Sequence, residues 1–260
     1  MKIKTVLDAL ESFAPLPLQE SYDNAGLQIG LTEAEVSGVL LCLDVTEEVV
    51  DEAIRRGCNL IVSHHPLIFR KLSHVIGANY VERCVAKAIK NDVAIASMHT
   101  NLDSAYGGVN YKMAEKMGLL DVMGLGEIKC VNGVMGTPGV IGRFDKPMDA
   151  RDFIDMLKRE FHVECVQANA LLDRPVEKVA ICGGAGSFLL DEALMAGADA
   201  FVTGEMHYHE FFGHEGEVQI AVIGHYQSEQ FTAEVLRSII QPLGVECHIS
   251  EINTNPILYI

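Results

Sequence analysis

Short, unbroken apolar runs alternate along this chain with segments whose apolar residues recur every three or four positions. Val39-Leu-Leu-Cys-Leu43 is the first such run and reads as a buried strand. Thr46 follows as a helix cap, and Glu47 and Glu48 suit the positive end of the helix dipole. Val49, Val50, Ala53 and Ile54 form the apolar stripe, Arg55 and Arg56 fall in the last turn, and Gly57 stops the helix. A second buried strand over residues 60–62 then runs into Ser63, two adjacent histidines, His64 and His65, and Pro66.

The pattern returns 140 positions later without a gap. Val39, Cys42, Asp51, Glu52, Ala53, Gly57 and Val62 align with Val179, Cys182, Asp191, Glu192, Ala193, Gly197 and Val202. Order, spacing and helix stop all coincide, which is more than a shared period. The expected architecture is therefore α/β: two similar lobes from an internal duplication, residues 1–125 and 126–260, with mostly parallel sheets. Each half adds a further strand, over 92–97 and 218–223. Each of these leads into a histidine with a carboxylate four positions on: His99 with Asp103, and His225 with Glu229. On a helical turn that spacing puts both side chains on one face.

The remaining stretches read as follows. An amphipathic helix opens the chain and is broken by Pro15 and Pro17, and turn formers cluster at Asp23, Asn24 and Gly26. Residues 129–144 read as hairpin material and 149–161 as a capped amphipathic helix. Phe231, Val235, Leu236 and Ile239 mark a helix after Glu229, and 251–260 reads as a strand pair or edge strand.

Composition adds limits. Hydrophobic residues make up 49% of the 260 and charged residues 22%, as in an ordinary globular protein with a sizeable core. No apolar stretch reaches the roughly 18 residues that cross a bilayer, and the N-terminus lacks a signal-peptide pattern. Seven cysteines with no C-x-x-C pair point to a reducing cytoplasm and away from disulfides or a thiolate zinc site. The formal charge of −16, with no visible basic cluster, disfavours direct nucleic-acid binding.

His64, His65, His99, Asp103, His225 and Glu229 all fall at or just beyond the carboxyl ends of expected parallel strands, where open α/β sheets bind ligands. If the lobes pack about a pseudo-twofold axis, these ends converge on a site between them. Imidazole and carboxylate without thiolate suit borderline or hard divalent metals. The donors outnumber what one catalytic zinc takes; two ions roughly 3.5–4 Å apart would use them all. Any one of these histidines alone reads more readily as a hydrogen-bonded surface or core group than as a ligand, and His74, His162 and His248 are read that way. A second cluster, Glu205, His207 and His209, occupies the repeat position of His64 and His65. It reads either as groups orienting ligands or moving protons, or as a solvated acidic loop. The Gly183–Gly186 turn could hold an anion, though it also reads as an ordinary turn of the repeat.

Four stretches together resemble the family of GTP cyclohydrolase 1 type 2 homologues, the NIF-three-like dinuclear-metal proteins. They are Ser21-Tyr-Asp-Asn-Ala-Gly-Leu-Gln-Ile-Gly30, Ser63-His-His-Pro66, His99-Thr-Asn-Leu-Asp103 and Gly224-His-Tyr-Gln-Ser-Glu229. The resemblance implies His64, His65, Asp103, His225 and Glu229 as ligands of two divalent ions (Zn, Fe, Mn or Mg), with His99 close by. It implies a toroidal homohexamer with metal sites facing an inner cavity. Tyr22 stands where many relatives carry tryptophan, and 121–178 is too short for the extra domain of longer members. The family name suggests a metal-dependent hydrolase opening the purine ring of a nucleotide such as GTP, with His99 or His209 shuttling the proton. The alternative is a non-enzymatic ring that stores or delivers metal or binds another protein.

Overall fold

The computed structural model describes residues 1–260. Its first elements are α1 (Ile3–Phe13), β1 (Gly26–Ile29), β2 (Val39–Cys42), α2 (Glu47–Arg56) and β3 (Leu60–Ser63). Then come α3 (Tyr80–Lys90), β4 (Ala94–Ser97), α4 (Thr100–Ser104) and α5 (Val109–Met117). The middle carries β5 (Leu120–Leu125), β6 (Lys129–Val131), β7 (Val134–Gly136), β8 (Gly139–Met148), α6 (Ala150–Glu160) and β9 (Gln167–Ala168). The last are β10 (Val176–Cys182), α7 (Leu190–Met195), β11 (Ala200–Thr203), β12 (Gln219–Val222), α8 (His225–Glu229), α9 (Thr232–Ile240) and β13 (Cys247–Ile249).

Backbone contacts group these into two units. Unit 1 comprises Met1–Ala105, Val131–Val134 and Thr232–Pro256; unit 2 comprises Tyr106–Cys130, Met135–Phe231 and Ile257–Ile260. This differs from the single cut expected at 125/126. The reason is that α9 packs on α1 and β2, and β13 pairs parallel with β2, so the late elements complete the early sheet.

In unit 1 the sheet order is β1-β4-β3-β2-β13, parallel except for β1 at the edge. β2, β3 and β4 are buried at every position, as strands covered on both faces must be. Helix α2 is punctuated as its sequence dictates. The Thr46 hydroxyl accepts the Val49 N–H at 3.3 Å, and Gly57 ends the helix at φ 71°. In unit 2 the order is β5-β8-β10-β11-β12-β9. β10, β11 and β12 run parallel, while β8, β5 and β9 add antiparallel strands around them. The stretch expected as hairpin material forms one over its first part, where β6 and β7 make a two-stranded sheet, and then begins β8, which pairs with both β5 and β10.

The repeat read from the sequence reappears as a strand register. Val39 pairs with Leu60 and Cys42 with Ser63 in unit 1; Val179 pairs with Ala200 and Cys182 with Thr203 in unit 2. Every partner is displaced by the same 140 positions.

The strand expected over 251–260 is not formed; the strand lies earlier, at β13. The buried Glu52 carboxylate accepts Ser250 Oγ at 2.5 Å and the Glu251 N–H at 3.2 Å, which holds this backbone by a side chain and not by a ladder. Cys42, Cys58, Cys84 and Cys182 are buried thiols, and all seven cysteines are unbridged. No helix is long and apolar enough to cross a membrane.

Candidate metal centre

In unit 1, β3 ends at Ser63, and the chain turns so that the His64 and His65 N–H groups both reach the Leu43 carbonyl, at 3.2 and 3.0 Å. Ser63 Oγ ties back to the His65 carbonyl at 2.8 Å and lies 3.0 Å from Ser97 Oγ on β4. The neighbouring strand ends are thereby fixed to each other. His99 stands just before α4, its N–H donating to Asn101 Oδ1 at 2.9 Å, and Asp103 lies one turn later. Ligand atoms of His64, His65 and His99 lie within 4.8 Å of one another. Asp103 Oδ1 is 3.6 Å from His64 Nε2. The His64 side chain is fully buried.

In unit 2, two residues separate β12 from α8, whose single turn puts His225 Nε2 3.2 Å from Glu229 Oε2. Two glycines make room for this pair. Gly184 has φ 58°, and a Cβ there would stand 2.4 Å from Glu229 Oε1. A Cβ on Gly204 would stand 2.7 Å from Ser228 Oγ and 2.9 Å from the His225 Cα. A side chain at Gly184 would displace the Glu229 carboxylate, and one at Gly204 would press on the backbone of α8.

All four imidazoles are held the same way. Nδ1 of His64 is 2.9 Å from the Met98 carbonyl, and Nδ1 of His65 is 2.8 Å from Asp44 Oδ1. Nδ1 of His99 is 2.7 Å from Asp23 Oδ1, and Nδ1 of His225 is 2.9 Å from Glu205 Oε1. A carbonyl or carboxylate oxygen only accepts, so each Nδ1 carries a proton, and a neutral ring then has its lone pair on Nε2. This is the arrangement of metal-binding histidines, whose far nitrogen donates to an oxygen that fixes ring and tautomer.

Asp23 and Asp44 in this role were not visible in the sequence, since they lie 76 and 21 positions from their histidines. Burial pushes the Asp23 carboxyl up, but hydrogen bonds from His99 and Thr100 and the Asn24 N–H outweigh it and hold the pKa at about 2. Burial likewise opposes ionisation of Asp44, and its bonds to His65 and Thr254 bring it below the usual carboxylate range. Thr254 Oγ1 donates to Asp44 Oδ2 at 2.7 Å, so the C-terminal segment braces His65 through Asp44.

Of the Glu205 cluster, only Glu205 touches a candidate ligand. The His207 N–H donates to Glu210 Oε2 at 2.6 Å, closing a tight turn. His209 is exposed among the rings of Tyr208 and Phe212 and belongs to no group with metal-ligand spacing. His162 is an exposed residue at φ 53°, and His248 pairs with Glu246 at 3.0 Å. The glycine-rich turn is no anion cradle. Its Gly183, Gly184 and Gly186 N–H groups donate to Asn110 Oδ1, Ser228 Oγ and Thr203 Oγ1.

The donor set therefore suits a metal ion on its own chemistry: imidazoles oriented through Nδ1 beside carboxylates, which fits borderline and hard divalent cations. An α/β protein with oriented histidine–carboxylate groups at the strand ends is the class that fold and donors define. The chain matches the Duf34/NIF3 (NGG1p interacting factor 3) family over residues 1–256 and belongs to that family. The GTP cyclohydrolase 1 type 2 homolog of Clostridium acetobutylicum is 32% identical over 234 residues, covering 88% of this chain and 85% of its own. NIF3-like protein 1 of Drosophila melanogaster is 31% identical over 269 residues, covering 99% and 89%. The crystal structure of a Staphylococcus aureus hypothetical protein has a TM-score of 0.91 at 32% identity, with 100% of this chain and 99% of that one covered. A Bacillus cereus protein described as related to NIF3 has a TM-score of 0.88 at 26% identity, with the same coverage. The family resemblance carried by the four motifs is borne out.

Proposed function

We propose that the chain is a metal-dependent hydrolase in which His64, His65, Asp103, His225 and Glu229 together hold two divalent cations. The observation that carries this reading is the shared anchoring of every imidazole through Nδ1, which aims a defined lone pair from each ring. A lone core histidine is hydrogen-bonded too; what favours ligands here is that the anchored rings come together, with the ligand atoms of His64, His65 and His99 within 4.8 Å of one another. Bound divalent ions supply Lewis acidity to a substrate oxygen and acidify water. His99 contributes the proton step. With its Nδ1 proton held by ionised Asp23, its Nε2 takes a proton from attacking water and returns it to the leaving nitrogen. The relatives' name, GTP cyclohydrolase 1 type 2 homolog, supports a purine-containing substrate.

The ring-shaped homohexamer belongs to the same proposal, and light scattering of the purified protein tests it. Metal analysis of freshly purified protein, with an assay panel of nucleotides and cyclic amides, tests the activity. Two ions per chain, and hydrolysis lost in Glu229→Gln with the fold retained, support the hydrolase. Full metal loading with no turnover on the panel favours a storage or scaffold protein.

A further inference from the structure

Unit 2 encloses a cavity of about 390 Å³ against His225. That volume lies within the roughly 300–1,000 Å³ typical of small-molecule sites. Met206, Val222 and Ile257 give it apolar walls, Tyr259 an aromatic one, and Gln167 and Glu205 its amide and carboxylate. The Tyr259 hydroxyl lies against Gly224, where a Cβ would first meet Gln227 Oε1 at 2.3 Å and would stand 3.0 Å from that hydroxyl.

Two independent features bear on what such a cavity accepts. Its acid, Glu205, is already committed to His225 at 2.9 Å, so a phosphate chain entering here meets a carboxylate, in a chain of formal charge −16. The adjoining glycine turn, where phosphate-binding loops present backbone N–H groups, has those of Gly183, Gly184 and Gly186 consumed by side-chain oxygens. What remains is stacking on Tyr259, apolar contact, and hydrogen bonding to Gln167, Glu205 and the His207 imidazole, the Ser187 hydroxyl being already given to Glu210. These are the contacts an uncharged heteroaromatic ring uses, with stacking worth roughly 1–3 kcal/mol per base.

We propose that this cavity beside His225 seats an uncharged, nucleobase-like ring, with Tyr259 and Ile257 of the C-terminal segment as one wall, and does not hold a polyphosphate. The substrate class is thus a nucleoside or free heterocycle and not a nucleoside triphosphate. Its place in turnover rests on the hydrolase reading; the binding itself does not require a metal.

The test is calorimetric titration of the chelated, full-length protein with guanosine and with GTP. Guanosine is expected to bind at least tenfold more tightly than GTP. Tyr259→Ala, at a partly exposed position, is expected to weaken guanosine about tenfold, with Gln167→Ala weakening it less. Equal or tighter binding of GTP, no binding of guanosine, or an unchanged guanosine affinity in both variants overturns the proposal. Guanosine binding without metal-dependent turnover leaves the cavity assignment standing and removes the hydrolase. Turnover of GTP without guanosine binding does the reverse.

Discussion

His99 and Asp23 meet across 76 positions of sequence, with Nδ1 2.7 Å from Oδ1. Thr100 adds its N–H and hydroxyl to Oδ2 of the same carboxylate, at 3.1 and 2.5 Å. The carboxylate is therefore locked from both oxygens, and the imidazole turns with it. Asp23→Asn should keep this geometry while allowing the amide to donate to Nδ1, which moves the ring proton to Nε2. We expect turnover to fall by about 10²–10⁴-fold with metal content unchanged. Imidazole ¹⁵N shifts would report the tautomer directly; a His99 proton still on Nδ1 in the variant would refute the assignment.

Gly184 and Gly197 share a left-handed backbone, at φ 58° and 70°, but only Gly184 faces Glu229. Alanine at Gly197, where nothing lies within 4 Å, should cost about 1–2 kcal/mol of stability. Alanine at Gly184 carries the same backbone cost plus displacement of the Glu229 carboxylate. It is therefore expected to lose bound metal, which Gly197→Ala retains. Thermal melts paired with elemental analysis of both variants separate the two effects; equal metal content would contradict the role given to Gly184.

Acid sensitivity should trace in part to Asp199, remote from the metal donors. Burial raises its pKa, but the Lys178 N–H, Arg174 and the Glu177 N–H more than reverse this, so the folded value lies below the ordinary 3.8. A depressed folded pKa contributes stability in full above the unfolded value and loses it as pH falls through the folded one. Asp199→Asn should cost about 1–3 kcal/mol at pH 7, and this difference should shrink below about pH 4. Urea denaturation at pH 7 and pH 3 measures it. A difference that grew on acidification would reverse the sign argued here.

Chelation should lower the melting temperature while leaving far-ultraviolet circular dichroism unchanged. A cation that binds only folded protein adds about 2.7 kcal/mol at a hundredfold excess over Kd. His64→Ala should show the lower melting temperature with or without chelator. Chelator-insensitive melting of the wild-type protein would argue against metal at these residues.

Much of the scaffold was legible because local rules carry it. Thr46, Gly57 and the apolar runs name their elements, and the 140-position displacement survives as strand register. The histidines were legible because strand ends are where α/β sheets place ligands. Asp23 and Asp44 were not, since a carboxylate in a turn has no sequence mark tying it to a distant imidazole. Residues 251–260 misled in the opposite direction. Ile252, Ile257 and Leu258 have strand chemistry, but Pro256 interrupts them and Glu52 and Asp44 capture the segment through side chains. Glu205 was legible only as one member of a cluster, and the His225 contact separates it from His207 and His209.

The anchoring of each Nδ1 by an oxygen of the folded chain has a consequence for cellular loading. The rings are aimed by protein chemistry before any ion arrives, so coordination geometry is inherited from folding and not imposed by the guest. Selection among competing cations then passes to what the cell makes available, along the usual affinity order for nitrogen and oxygen donors. On the metal-binding reading, preparations from iron-rich and zinc-rich media are expected to carry different metals at the same imidazoles, which elemental analysis of the two checks.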